Sequence, residues 1–530
     1  MQKLAISNQL RIIGCMASSS YYVTTPIYYV NDQPHLGHMY TTIAADVLAR
    51  YGRMAGRDVF FLTGVDEHGQ KVQQAAKDRN ITPMALADQV VERYASLWPE
   101  LSISHDDFIR TTSARHKESV QAMWRRLRAA GAIYKGVYED WYCVPCESYW
   151  TKIQLKDGNH WEDKQCPDCK RNLERVQEES YFFRLSAWQD TLLKYIHDNP
   201  DFIAPASRRN EVLRFIESGL HDLSISRTTF SWGIPVPDDE GHIIYVWIDA
   251  LSNYLTAPGF PDEQRCMHYW PADVHLIGKD ILRFHAVYWP CMLLAAGLPL
   301  PKRIFAHGWW TVNGKKMSKS LGNALRPADL LAKYDVDVLR YFLLREIPFG
   351  QDGDFSEDAL VRRCNTELSN DLGNLLNRSL SMLKKYRDGI LTPASTEEAI
   401  DRALIADIEA MQRDVDAALQ QQAFHQALER INALVRHGNR YVQENEPWLL
   451  AKNNKQQRLD TVLYHLVEGL RLICIQLIPF MPTKMAAMLH QIMGKPVDLN
   501  AIRIASIGGW GLLSKGHQCL APSPVFPRIG

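Results

Sequence analysis

The chain has 530 residues and equal numbers of basic and acidic side chains, 60 of each. That length exceeds one hydrophobic core and calls for two to four domains at roughly 100–200 residues apiece. The 46% apolar and 23% charged content excludes a fibrous or low-complexity chain, and the zero net charge leaves any nucleic-acid partner to a local basic face.

In chain order, residues 1–31 contain no acid, with Lys3 and Arg11 as the only charges. Residues 1–20 read as a disordered extension. They are either a short transit segment or a start upstream of Met16, and the low Arg content favours the second. Tyr21–Val30 (YYVTTPIYYV) is rich in β-branched and aromatic residues and predicts a buried strand. Asn31–Pro34 predicts a turn. In HLGHMYTTIAADVLARYGRMAG, the spacing of Met39, Ile43, Val47 and Tyr51 predicts a helix with one apolar face, ended by Gly52 or Gly56. Asp58–Gly64 (DVFFLTG) predicts a second buried strand, so the chain opens with a right-handed βαβ unit on a parallel sheet.

Residues 135–230, rich in Trp, Tyr, Cys and charge, interrupt this pattern as an insertion. α/β character resumes at Gly241–Ala250 and Val274–Gly278. A Gly/Lys/Ser-rich loop follows at Asn313–Asn323. From about residue 360 the strand signals end, and Ala399–Val442 and Leu459–Leu477 carry helical periodicity, which predicts a helix bundle. The Pro-rich tail PSPVFPRIG is expected to strap the surface. The longest apolar run, Ala286–Pro301, falls short of 18 residues and carries three prolines, so no membrane span is expected.

Three constellations carry chemistry. His35-Leu36-Gly37-His38 lies between the first strand and its helix, where helix N–H groups and two histidines can donate to phosphate oxygens. A glycine there lets a flat base approach the backbone, although two structural histidines would read the same way. Lys316-Met317-Ser318-Lys319-Ser320 places lysines on a Gly/Ser loop able to swing onto a triphosphate, or simply to remain in solvent. Cys143-x2-Cys146 and Cys166-x2-Cys169 have the spacing of a closed four-thiolate zinc site, structural rather than catalytic. Such cysteine usage fits a cytoplasmic metalloprotein, not a secreted disulfide scaffold.

HLGH and KMSKS, about 280 residues apart, resemble the two signatures of class I aminoacyl-tRNA synthetases. VTTPIYYVNDQPHLGH, GVDEHGQK, EESYFFRLS, YVWIDALSNY, HLIGKDILRFH and HGWWTVNGKKMSKSLGN are similar, in order, to signatures of the methionyl-tRNA synthetase family. The resemblance covers nearly the whole chain from residue 21. Leu36, where isoleucine is common, is the one mild departure in the two class motifs.

The resemblance implies an α/β protein. A Rossmann-type parallel-sheet catalytic domain is split over 21–134 and 231–305 by a connective insertion, 135–230, with a four-cysteine zinc knuckle. A KMSKS loop and stem-contact region follows at 306–360, then a C-terminal α-helical anticodon-binding bundle at 361–530. It implies methionine–tRNA ligation from ATP with Mg²⁺, one structural Zn²⁺ per chain, and tRNA(Met), ATP and L-methionine as partners. Catalysis falls to His35, His38, Lys316 and Lys319. ATP contacts fall to these and to Gly37, Gly278, Asp280, Met317 and Ser318. Methionine contacts fall to Ile27, Tyr29, Asp66, Trp247, Ala250, Tyr254, Phe284 and His285, and aromatic walls suit a soft thioether. Asn374, Arg378 and Trp448 match positions that read the anticodon, a base-edge pair and a stacking surface. Arg436, Arg440 and Lys452 nearby suit phosphates or plain solvent.

A leucine, isoleucine or valine enzyme would need a larger editing insertion, since one methylene discriminates by only roughly 1–3 kcal/mol. A small nucleotidyltransferase would not need the helical end. A non-catalytic tRNA-binding paralogue would not need intact His35, His38, Lys316 and Lys319. A cytoplasmic monomer is expected, with no room for a further dimerising module.

Overall fold

A computed structural model describes residues 20–30, 33–146, 148–150, 155, 164–312, 314–316 and 325–530. The extension at 1–19 and Met317, Ser318 and Lys319 lie outside the described residues.

The first strand, β1 (Ser20–Tyr29), runs into helix α1 (Leu36–Met54), β2 (Asp58–Asp66), α2 (Gln70–Asp78), α3 (Pro83–Glu100), β3 (Asp107–Arg110) and α4 (Ala114–Ala129). With β4 (Ile203–Ala204), β5 (Val274–Gly278) and β6 (Ile304–His307), the strands form one six-stranded sheet, ordered β3-β2-β1-β5-β6-β4. Every pairing in it is parallel. The order reverses direction at β1, which leaves a crevice at the carboxyl ends of β1 and β5. Between Thr24↔Leu62 and Ile27↔Gly64, β1 uses one residue more than β2. That bulge contains Pro26, which has no N–H to give the ladder, and it re-aims Ile27 and Tyr29 at the crevice.

The insertion is an antiparallel sheet of Ile133–Cys143, Ser148–Trp150, Glu174–Phe183 and Leu223–Ser224. Gly241–Ala250 does not rejoin the parallel sheet. Asp239–Ile244 pairs antiparallel with Pro235–Val236 and Ser226–Arg227, and the rest forms helix α5 (Val246–Leu251). The alternation in GHIIY suits a strand, but the next apolar residues wind into a helix buried on every side.

Helix α6 (Val336–Arg345) leads to the bundle: α7 (Asn374–Arg387), α8 (Ala399–Gln420), α9 (Phe424–Asn445), α10 (Pro447–Lys452), α11 (Gln456–Leu477) and α12 (Pro482–Met493). The single periodic stretch read at 399–442 is two helices. The chain turns at Gln422, which adopts a left-handed φ of 54°. The tail is strapped down as expected, with Val525 and Phe526 buried and Asn365 bonded in both directions to Ile529. Among the described residues no helix is long and apolar enough to cross a membrane.

Candidate active site

A cleft of about 610 Å³ opens at the carboxyl ends of the central strands. Ile27 and Tyr29 reach it from β1, Asp66 from β2, Gly278 from β5 and His307 from β6. His35, Gly37 and His38 line it from the start of α1; Trp247, Ala250 and Tyr254 from α5 and the short helix Asn253–Thr256 after it; Asp280 and His285 from the segment following β5. Twelve residues expected from sequence therefore share one cavity, although they span 258 positions from Ile27 to His285. Phe284 stands behind the wall, its ring stacked on Trp247 at 3.7 Å and 7°.

His35 caps α1. Its Nδ1 accepts from the Gly37 N–H at 3.0 Å, and its own N–H donates to His38 Nδ1 at 3.3 Å. Both Nδ1 atoms are acceptors, so in the neutral rings the proton sits on Nε2. The rings stack at 3.7 Å. Burial, helped by the neighbouring His35, holds His38 well below the ordinary imidazole range. His38 is thus a neutral N–H donor at the N-terminus of a buried helix. Gly37 also has a steric reason within the motif itself. A Cβ there would lie 2.9 Å from the folded-back His35 ring, so the glycine makes room for the cap itself.

The aromatic side is equally fixed. A carbonyl only accepts, so His285 Nδ1–H donates to Ile281 O at 3.0 Å. Its Nε2 then accepts from the Tyr254 hydroxyl at 2.8 Å. Burial pushes His285 down to about 4. Trp247 lines the cleft, and its indole N–H has no hydrogen-bond partner among the described residues. The Asp280 carboxylate is oriented by the Trp309 indole at 3.0 Å, and a Cβ at Gly278 would meet that carboxylate at 2.6 Å.

The two ends of the lysine loop lie close to the cleft. Lys316 lies in a short strand paired to Thr311, beside the cleft residue Trp310, but its side chain, like Met317, Ser318 and Lys319, lies outside the description. At the other end, Leu325 O accepts from the Leu36 N–H at 3.1 Å, inside the HLGH motif. Arg326 lines the cleft.

Sequence reading missed a buried cluster beneath the site. Asp249 accepts from His68 Nδ1 at 2.7 Å and from His116 Nε2 at 2.8 Å. His68 and Asp249 both sit in quoted motifs, GVDEHGQK and YVWIDALSNY, but nothing in either string says that they meet. Arg79 and Arg93 at the cleft mouth were also missed, for want of any local pattern.

The four cysteines converge. Their Sγ atoms all lie within 4.8 Å of one another, with Cys143–Cys169 at 3.5 Å and Cys146–Cys166 at 3.9 Å, and none is in a disulfide. Tetrahedral zinc at a Zn–S distance of about 2.3 Å needs sulfurs roughly 3.8 Å apart, so the cluster fits the ion. The hydrophobic cluster around the cysteines has only a few buried residues, and a unit that small gains folding energy from such a site.

In the bundle, Asn374 is exposed and Arg378 half-buried on α7, one turn apart. A Cβ at Gly438 of α9 would meet Leu375 at 2.9 Å, so α9 crosses next to Asn374. Trp448 follows α9 at the start of α10, with Pro447 at its first turn and 37% of its surface exposed. Arg436 pairs with Glu429 at 2.8 Å, whereas Arg440 and Lys452 are exposed.

The buried histidines make stability depend on pH. Burial lowers His38, His275, His285 and His307 in the folded state. A His with a depressed folded value resists protonation that the unfolded chain accepts. Stability is therefore full above about pH 6.5 and lost as the pH falls below it. His285, at about 4, costs roughly 2 kcal/mol by pH 5. Asp337, pushed up to about 6 by burial, works the other way and offsets only about 1 kcal/mol. The urea midpoint is expected to drop clearly between pH 7 and pH 5; an unchanged midpoint would show that these rings are not held neutral.

The family model for class I tRNA synthetases (M) matches residues 21–380, and that for the anticodon binding domain of methionyl tRNA ligase matches 392–530. The methionine–tRNA ligase of Caldanaerobacter subterraneus subsp. tengcongensis is 52% identical, over 96% of this chain and 79% of that protein. That of Rickettsia bellii is 47% identical, over 97% and 99%. Mycobacterium tuberculosis methionyl-tRNA synthetase in complex with methionyl-adenylate superimposes with a TM-score of 0.91 at 45% identity, over 96% of this chain and 100% of that one. With two family models covering nearly all of a chain whose cleft is lined by the HLGH motif, the protein belongs to the methionyl-tRNA synthetase family of class I aminoacyl-tRNA synthetases and acts as a methionine–tRNA ligase.

Proposed function

We propose that this one cleft carries both half-reactions, with the following division of labour. Asp66 receives the α-ammonium of methionine, and the thioether lies against Trp247, Tyr254 and His285, with Ile27, Tyr29 and Ala250 closing the pocket and Phe284 backing Trp247. His35 and His38 donate to the ATP phosphates, while Gly278 and Asp280 take the adenosine. The methionine carboxylate attacks the α-phosphate in line, the bond to the β-phosphate breaks, and pyrophosphate departs toward Lys316 and Lys319, with Met317 and Ser318 of the same motif also contacting ATP. Mg²⁺ arriving with ATP supplies charge offset on the triphosphate. Positioning and electrostatics suffice, so no covalent enzyme intermediate forms. The 2′-hydroxyl of the terminal adenosine of tRNA then attacks the adenylate carbonyl, and AMP leaves. Asn374, Arg378 and Trp448 read the anticodon. Cys143, Cys146, Cys166 and Cys169 hold one structural zinc. The domain boundaries are those read from sequence, except that Ile203–Ala204 within the 135–230 stretch belongs to the parallel sheet, and the enzyme works as a cytoplasmic monomer.

One observation supports this reading most strongly. The loop that carries the lysines leaves and returns at the cleft: Lys316 pairs across from Thr311 beside Trp310, and the Leu325 carbonyl is bonded to the HLGH motif. The decisive test is ATP–pyrophosphate exchange. Exchange driven by methionine and not by leucine supports the assignment; exchange with neither would reduce the chain to a tRNA-binding paralogue.

Anticodon reading has its own test. Stacking a base on an exposed aromatic is worth about 1–3 kcal/mol. Trp448→Ala is expected to cut kcat/KM for tRNA charging by about 10–100-fold while methionine-dependent exchange stays within twofold. Equal losses in both assays would contradict a separate anticodon site.

A further inference from the structure

The strand end that presents Asp66 and the helix that presents Trp247 belong to different parts of the chain, yet they form adjacent walls of the cleft. Two residues beyond Asp66, His68 donates from Nδ1 to Asp249 Oδ2 at 2.7 Å. Two residues beyond Trp247, Asp249 also receives His116 Nε2 on Oδ1 at 2.8 Å, and His116 Nδ1 faces Thr256 Oγ1 at 3.1 Å. All three side chains are almost fully buried, with Asp249 1% and His116 0% exposed. Trp232 completes the lock, its ring edge-on to His68 and its indole donating to Glu67 O at 2.5 Å.

We propose that Asp249 is a positioning residue that sets methionine affinity, because its two histidine bonds clamp the wall bearing Asp66 to the wall bearing Trp247. The proposal rests on the methionine-binding role assigned to this cleft. Asp249 itself does not line the cleft. It acts by fixing the distance between the group that would hold the ammonium and the ring that would hold the thioether. A slip of about 1 Å between such walls weakens recognition without removing any contact residue. ATP would be held instead by His35, His38 and Asp280.

Asp249→Asn tests the idea and should fold. If His116 takes its other tautomer, Nδ1–H donates to Thr256 and Nε2 accepts from the new amide. The His68 bond then depends on a neutral amide oxygen. Methionine Kd, read by quenching of tryptophan fluorescence, and methionine KM in pyrophosphate exchange are both expected to rise about tenfold, with ATP KM within twofold. His68→Asn, whose amide can take the place of Nδ1, should stay within threefold of wild type in both methionine constants, whereas His68→Leu should match Asp249→Asn. A merely structural role would lower the melting temperature and the active fraction while leaving methionine Kd unchanged in the folded enzyme, and that result overturns the proposal. If Asp249→Asn does not fold, the His68 pair decides alone: equal methionine constants in Asn and Leu overturn it. If wild type itself shows no methionine-dependent exchange, the underlying assignment has failed instead.

Discussion

Replacing His38 with alanine is expected to slow methionine-dependent pyrophosphate exchange by about 10²–10³-fold, the usual effect of removing one preorganised donor from a site where negative charge develops. The geometry supports a donor role. His38 Nδ1 is occupied by the His35 N–H and the Tyr94 hydroxyl, at 3.3 and 3.1 Å, so the neutral ring can offer only Nε2–H to a ligand in the cleft. Burial keeps the ring neutral, so it contributes a dipole rather than a full charge. His38→Gln places an amide N–H near the Nε2 position and is expected to recover about tenfold of the loss. The effect should fall on kcat more than on ATP KM, because the interaction strengthens as charge builds on the phosphate. A loss confined to ATP KM would make His38 a ground-state phosphate contact; a loss below threefold would make it a helix cap and nothing more.

How much of this site is visible in the sequence depends on how local its causes are. β1 and α1 are legible because burial writes its period directly into YYVTTPIYYV and into the Met39–Ile43–Val47 face. The crevice follows from topology, since strands of a βαβ sheet end where ligands bind, and Ile27, Tyr29, Asp66 and Gly278 can be placed there by position alone. The bulge around Pro26 is only half legible. Proline announces a broken ladder, but the extra residue relative to β2 appears only once the register is known. The Asp249 clamp is illegible for a different reason. His68 and Asp249 are 181 positions apart, and each has an ordinary local reading, one as a loop histidine and the other as a helical acid. Gly37 gives the opposite lesson, since a steric demand from the His35 ring appears beside it only once that ring is seen folded back.

The same limit applies to the contact that ties the catalytic domain to the bundle, which carries the second large prediction. Arg340 of α6 is completely buried. Its guanidinium donates to Asp46 Oδ2 on α1 at 2.6 Å, to the Leu101 carbonyl at 3.0 Å, and to the Pro479 and Phe480 carbonyls between α11 and α12 at 2.8 and 2.9 Å. One cation thus joins the helix that begins with HLGH to the far end of the anticodon bundle. Arg340→Ala would leave three buried carbonyls without their guanidinium and Asp46 with only Arg50 and Ser104, and breaking a buried pair in this way costs about 3–5 kcal/mol. At this size the melting temperature should fall by about 3–5 °C. The sign of its pH dependence is a sharper check. Burial pushes the Asp46 carboxyl up, but Arg340 and Arg50 together hold it below the ordinary range, so in the wild type its contribution is present above about pH 4 and lost as the pH falls further. Without Arg340 burial dominates and the folded value rises. The folded variant then takes up a proton before the unfolded chain does, and its deficit should shrink as the pH drops from 7.5 toward 5. A deficit that stays constant over that range, or one below about 1 kcal/mol, would mean that Arg50 and Ser104 alone satisfy Asp46 and that the two domains are held together elsewhere.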